Sequence, residues 1–216
     1  MRWIGVVILL FVSSQGRAHQ PVMDMVPRWA GGYGIQTRVE RFDSQTTTWV
    51  EGVYTFDRSI RATFKLPYRD HELGDLILGL PLKKYKNDGP KTSNWSLTPS
   101  VQVPTGEPCE WDLGLSVSYS SESPRFYQLY DLYTWGDRTG LDINAGFAIP
   151  GKGQGMFALW DVSALTSDRG DRIQTGPVFV YFKRNVMFRA EYKAVVFEND
   201  SSWDGDYIGI GIGLVY

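Results

Sequence analysis

The chain holds one cysteine and two histidines in 216 residues, which leaves little room for side-chain chemistry. Cys109 has no partner for an intramolecular disulfide. It lies between Pro108 and Glu110 in a turn-rich stretch and reads as a passive loop residue. Hydrolytic barrels need an imidazole beside a serine or carboxylate. Here His71 falls in the charged run Arg69-Asp70-His71-Glu72, and His19 is close to the start of the chain, so no strand carries a histidine base. Positive charge is not in excess either. The 22 Lys and Arg face 24 Asp and Glu, which argues against the basic stripe that a nucleic-acid partner requires. After Ala18 no segment approaches the roughly 20 apolar residues of a membrane helix.

The first 18 residues are of a different kind. Met1-Arg2 is a short positive start, Trp3 to Val12 is apolar throughout, and Gly16-Arg17-Ala18 resembles a small-residue cleavage site. This is the pattern of a secretory leader, too short to span as a helix, with cleavage expected after Ala18. Residues 19–32, with Pro21 and Pro27, are not strand-like. They form either a lumen plug with Met23, Met25, Val26 and Trp29 as its apolar surface, or a periplasmic tail. His19, Met23 and Met25 are of a type that suits copper, but with one further histidine and no nearby cysteine no metal site or cofactor is expected.

From Tyr33 onward, apolar and polar residues alternate with period two in segment after segment, each bounded by Gly, Pro, Asn, Asp or Ser. The expected strands are 33–41, 49–56, 60–66, 75–83, 95–103, 112–120, 126–135, 141–147, 156–164, 172–182, 186–195 and 207–216. In the third, Ile60, Ala62, Phe64 and Leu66 oppose Arg61, Thr63 and Lys65. The segments 126–135 and 172–182 are apolar or aromatic on both sides, so their facing is open. Twelve strands of about 10 residues, joined by short connections, account for one domain over 33–216.

The last segment is the most informative. Ile208, Ile210, Ile212 and Leu214 share one face, Gly209, Gly211 and Gly213 the other, and the chain stops on Tyr216. A strand greasy on one side, bare on the other and ending on an aromatic suits the closing strand of an outer-membrane barrel. A secreted β-sandwich would alternate in the same way with its apolar face inward. The leader, the closing strand and the aromatics near strand ends (Trp49, Tyr68, Tyr85, Trp95, Trp111, Trp135, Trp203) favour the membrane. Aromatics at those places suit the two headgroup girdles. The expected fold is all-β, a transmembrane up-and-down antiparallel β-barrel of about 12 strands. Its partners would be outer-membrane lipid and, through the strand ending in Tyr216, the barrel-assembly machinery.

Three phrases follow one another in the middle third: Leu73-Gly-Asp-Leu-Ile-Leu-Gly79, Leu97-Thr-Pro-Ser-Val-Gln-Val-Pro-Thr-Gly106 and Trp111-Asp-Leu-Gly-Leu-Ser-Val-Ser-Tyr119. Their order resembles the phenol-degradation meta-pathway, or transporter-like, family of outer-membrane proteins. The resemblance implies a barrel that helps small hydrophobic or aromatic solutes across the outer membrane, with no catalytic motif. A non-transporting barrel with a structural or surface-binding role is the alternative.

On strands with clear phase, the polar face carries Arg38, Glu40, Glu51, Arg61, Lys65, Asp75, Asp112, Asp142, Asp161, Arg189, Glu191 and Lys193. Charges of both signs inside a narrow barrel either pair across it and hold the wall closed or line a solute path. Mixed signs argue against strong ion selectivity. Other matches are declined. Gly151-Lys152-Gly153-Gln154-Gly155 precedes a strand and is a turn, Arg169-Gly170-Asp171 is chance-level, and the acidic run from Glu198 to Asp206 lacks full calcium spacing.

Overall fold

The computed structural model describes residues 32–42, 45–69, 71–89, 91–106, 108–151, 154–168, 170–199 and 205–216. The leader expected over 1–18 and all but Gly32 of the segment expected over 19–32 lie outside them.

The described residues form one antiparallel sheet: β1 (Tyr33–Phe42), β2 (Gln45–Thr55), β3 (Arg61–Arg69), β4 (Glu72–Leu73), β5 (Leu76–Gly79), β6 (Leu82–Asp88), β7 (Lys91–Val103), β8 (Asp112–Glu122), β9 (Phe126–Trp135), β10 (Arg138–Gly151), β11 (Gln154–Ser167), β12 (Gly170–Lys183), β13 (Val186–Glu198) and β14 (Tyr207–Val215). Long strands pair with their neighbours in sequence, β4, β5 and β6 bridge β3 and β7, and β1 pairs with β14, so the sheet closes on itself. Closure pairs the peptides of the wall internally, which lipid demands.

The short strands β4, β5 and β6 succeed one another along one position of the wall, making twelve positions in all. One residue is gained between the β3–β4 and β3–β5 ladders, at Gly74–Asp75. Leu80–Pro81 separates β5 from β6, yet the Pro81 carbonyl still accepts from the Arg61 N–H at 3.0 Å. A second irregularity lies in β12–β13, where the register shifts between Ile173 and Gln174 and leaves Val196 as the extra residue of a bulge. Connections are tight. In the β2–β3 turn the Asp57 carboxylate accepts from the Ser59 N–H at 2.6 Å, the Ser59 hydroxyl at 2.7 Å and the Ile60 N–H at 3.0 Å. These bonds, those from Ser59 first, hold the Asp57 carboxyl below its ordinary range.

The burial pattern is inverted relative to a water-soluble protein. Among the described residues fourteen polar or charged side chains are buried against eight hydrophobic ones. On β14 the isoleucines Ile208, Ile210 and Ile212 are 54, 60 and 51% exposed, whereas Gly209 and Gly213 are buried. A continuous apolar outer belt of this kind requires a non-aqueous neighbour.

Faces left open by the sequence are settled. Tyr127, Leu129, Asp131, Tyr133 and Trp135 of β9 point inward, and so do Arg172, Gln174, Val178, Val180 and Phe182 of β12. Of the expected girdle aromatics, Tyr68, Trp95 and Trp111 are outward and exposed. Trp49, Tyr85 and Trp135 instead turn into the barrel. Parity explains it: each lies an even number of residues from an inward polar group (Glu51, Lys83 and Asp131). Trp203 lies outside the described residues.

Candidate functional site

The lumen has three parts, each built by different strands. The first is a charge brace across the seam where the chain closes on itself. Arg38 of β1 reaches Glu51 of β2 at 3.2 Å and Glu191 of β13 at 3.3 Å, and pairs with Glu40 beside it. Tyr207 of β14 puts its hydroxyl 2.5 Å from Glu191 and 3.1 Å from Glu40, and accepts from Arg38 at 3.1 Å. Arg189 holds the other Glu191 oxygen at 2.6 Å, Gln36 donates to Glu51, and Trp49 Nε1 donates to Glu40 at 2.7 Å. Beside this network Lys193 binds Asp161 at 2.6 Å and donates to Ser163 at 2.9 Å. The bare face of β14 makes the room: Arg38 pairs with Gly211 and Glu191 with Gly209. A Cβ on Gly209 would stand 2.8 Å from the Glu191 carboxylate.

The second part is apolar. Tyr127, Phe157, Leu159, Val178, Val180 and Met187 form a buried cluster, with Leu129, Ala148 and Phe182 against it. Most of these residues lie at the ends of β9 to β13 on the side of the chain termini, so they fill the lumen there. The strand-period signal fails for β9 and β12 because their inner faces are greasy where they meet this cluster.

The third part is open. A cavity of about 1200 Å³ runs along the inside of β2 to β10, from Arg69, Glu72 and Glu110 at one mouth down to Arg61, Lys83 and Tyr127. Its size exceeds an ordinary small-molecule site. Four aromatic residues, Trp49, Tyr127, Tyr133 and Trp135, contribute to its lining.

Of the twelve charged residues expected on the lumen face, Asp75 belongs to a latch at the mouth and the other eleven divide between these parts. Arg61, Lys65, Asp112, Asp142 and Arg189 line the cavity. Arg38, Glu40, Glu51 and Glu191 form the brace, joined by Arg189, and Asp161 and Lys193 pair beside it. Asp131 and the four aromatics were missed. The three aromatics of β9 have large neighbours on both faces, so there only Asp131, a lone carboxylate in an aromatic run, carried a usable signal, whereas Trp49 could have been placed by its parity with Glu51.

Asp75 explains two of the sequence phrases. Its carboxylate accepts from the Thr105 and Gly106 N–H groups at 2.9 Å, the Glu110 N–H at 3.0 Å and the Gln102 amide at 3.0 Å. Thr105 Oγ1 in turn accepts from the Leu76 N–H at 2.9 Å. The Gly-Asp-Leu strand and the Pro-Thr-Gly turn are therefore two halves of one latch, which pins the β7–β8 connection at the mouth. Gly106 must be glycine, because a Cβ there would run into the carbonyls of Leu73 and Gly74. An Asp75→Asn substitution keeps the shape but replaces one acceptor oxygen with a donor. It is expected to make the 104–111 connection the first site of proteolytic nicking in the folded barrel, where the parent stays intact.

No protein-family model and no curated protein matches this sequence. Solved structures do. The chain is similar to an outer-membrane channel from Pseudomonas putida F1, with TM-score 0.63 and 13% identity over 95% of this chain and 100% of that one. The fold is that of outer-membrane channels. The same architecture appears in the KdgM porin (TM-score 0.63, 10% identity, 85% of this chain and 99% of that one). It appears also in LpxR from Salmonella typhimurium (TM-score 0.56, 9% identity, 85% and 100%). The channel fold thus recurs at identities where only architecture is shared, and function rests on the lumen of this chain.

Proposed function

We propose that this protein is an outer-membrane channel for small hydrophobic or aromatic solutes, reached by secretion and cleavage after Ala18. The observation that carries the reading is the open cavity of about 1200 Å³ within a closed wall, with Trp49, Tyr127, Tyr133 and Trp135 among its lining residues. Aromatic faces offer stacking contacts to a ring-bearing solute, each worth about 0.5–1.5 kcal/mol, weak enough for release. The order of the three sequence phrases, shared with the transporter-like family, supports the same reading. The KdgM porin, whose structure is also known in complex with disordered oligogalacturonate, supports solute passage through this architecture and not the solute class. The lumen-lining residues assigned to the solute path are Arg61, Lys65, Asp112 and Asp142, with Arg189 at its edge. Among the described residues His71 is the only histidine, and it sits in a turn at positive φ, 72°, between the mouth residues Arg69 and Glu72 and not itself in the lining.

A second reading, a non-transporting barrel, is favoured by one observation: the apolar cluster against β9 to β13 and the brace against β13, β14, β1 and β2 occupy part of the lumen and leave the opening to one side. Refolded mature protein in liposomes separates the two. The channel reading expects stepwise single-channel conductance and swelling in small solutes. Vesicles as tight as protein-free controls would leave the structural reading standing.

A further inference from the structure

The signs of the lumen charges follow two different rules. In the brace they interleave, each carboxylate touching a cation. Around the cavity they separate. Arg61 and Lys65 of β3 and Lys83 of β6 lie on two adjoining positions of the wall. Asp112, Asp131 and Asp142 lie on β8, β9 and β10, three consecutive positions. β3 and β10 stand five positions apart on a wall of twelve, nearly diametrical.

Two details show that this separation is not a pairing scheme. Asp131 and Asp142 are direct cross-strand partners, both inward. Like charges so placed disfavour the sheet, and a wall built only to hold itself closed would avoid them. One hydrogen-bonded row also runs Lys83, Ser96, Ser118, Asp131, Asp142, so the cation and the acid pair share a row with two serines between them. Other carboxylates on the cationic side are already engaged. Glu51, the cross-strand partner of Lys65, is held by Arg38 and Gln36. Asp75 accepts four donors of the latch. Lys65 is exposed to the lumen, and Asp142 has both Lys193 and, across the lumen, Lys65 within electrostatic reach. At the mouth Glu72 and Arg138 mix the signs, and Arg189 of β13 joins the lining as a cation already bound to Glu191; the separation lies between them.

We infer that the cavity carries a transverse electric field between Lys65 and Lys83 on one side and Asp131 and Asp142 on the other, and that it selects small solutes bearing opposite charges at their two ends. This rests on the reading of the protein as a channel, not on the hydrophobic class of solute proposed for it, and adds zwitterions as a second class, their anionic end turned to the lysines and their cationic end to the acid pair. Low-dielectric walls focus such a field. A molecule with well-separated charges gains from alignment across the pore, whereas one whose charges are adjacent gains little.

Two isomers test this without a change in size, 4-aminobutyrate with distant charges and 2-aminobutyrate with adjacent ones. Swelling of liposomes holding the mature protein is expected to be about three- to tenfold faster with the 4-isomer, the low end of electrostatic focusing effects. Lys65→Gln with Lys83→Gln, and separately Asp131→Asn with Asp142→Asn, are each expected to bring the ratio to about one. In a potassium chloride gradient the first pair should shift the reversal potential toward cation selectivity and the second toward anion selectivity. If the parent conducts but passes both isomers equally, the field inference is wrong and the channel reading stands. If the parent neither conducts nor swells, the channel reading itself fails. The isomer ratio of the parent needs no variant, so a misfolded variant cannot shelter the inference.

Discussion

Replacing Arg38 by methionine is expected to destabilise the barrel by about 3–5 kcal/mol, the cost of leaving buried carboxylates without their partner. Glu40, Glu51 and Glu191 all converge on this one guanidinium. After its removal Arg189 on Glu191 is the one cation among the described residues in direct contact with any of them, and the other contacts come from the neutral donors Gln36, Trp49 and Tyr207. The methionine roughly conserves the apolar stem, so packing loss is small beside the electrostatic one. The urea midpoint for unfolding from vesicles, read by the heat-shifted mobility of the folded barrel, measures the change. Adding Glu40→Gln and Glu51→Gln to Arg38→Met should recover most of the loss, because these two buried charges disappear with their partner while Glu191 keeps Arg189. A change under about 1 kcal/mol for Arg38→Met, as for a solvent-screened surface pair, would mean that water fills the seam and that the brace is not structural.

The second large effect lies on the opposite face. Ile210 is near the middle of β14, points away from the lumen and is 60% exposed. In water an arginine there would be close to neutral, within about 0.5 kcal/mol. In a bilayer it places a charge among acyl chains, and Ile210→Arg is expected to cost about 2–4 kcal/mol if the site is at the midplane. Neutrality in vesicles would place β14 outside the lipid.

The twelve-strand plan was legible because most of the wall positions alternate simply, and even the segment 126–135, whose facing was open, matches β9 residue for residue through its turn-bounded length. Interruptions were not legible. The stretch expected as one strand over 75–83 is split into β5 and the start of β6, with β4 just before it, since Asp75 is recruited by backbone N–H groups of a distant turn and Pro81 lacks a ladder donor. Strand ends also extend further than expected, β10 running to Gly151 and β13 to Glu198, because pairing continues beyond the alternating core.

The lumen was legible only in part, for a physical reason. Period two gives the face of a charged residue, hence Arg38, Lys65, Asp142 and Glu191, but not its partner, which comes from strands far away in sequence. Arg38 and Glu191 are 153 residues apart. Where both faces are apolar, period two is silent, and there the aromatic wall and the apolar cluster lie.

The most direct measurement of the central claim is the pattern of thiol labelling along β7 in vesicles. With Cys109 replaced by serine, single cysteines at Leu97, Thr98, Ser100 and Val101 should alternate in their reaction with a charged, water-soluble thiol reagent. Thr98 and Ser100 line the cavity and are expected to react, while Leu97 and Val101 lie on the other face and should stay unlabelled. Labelling at Leu97 and Val101 with protection at Thr98 and Ser100 would mean that water lies outside the wall and packed side chains within, and would contradict the account.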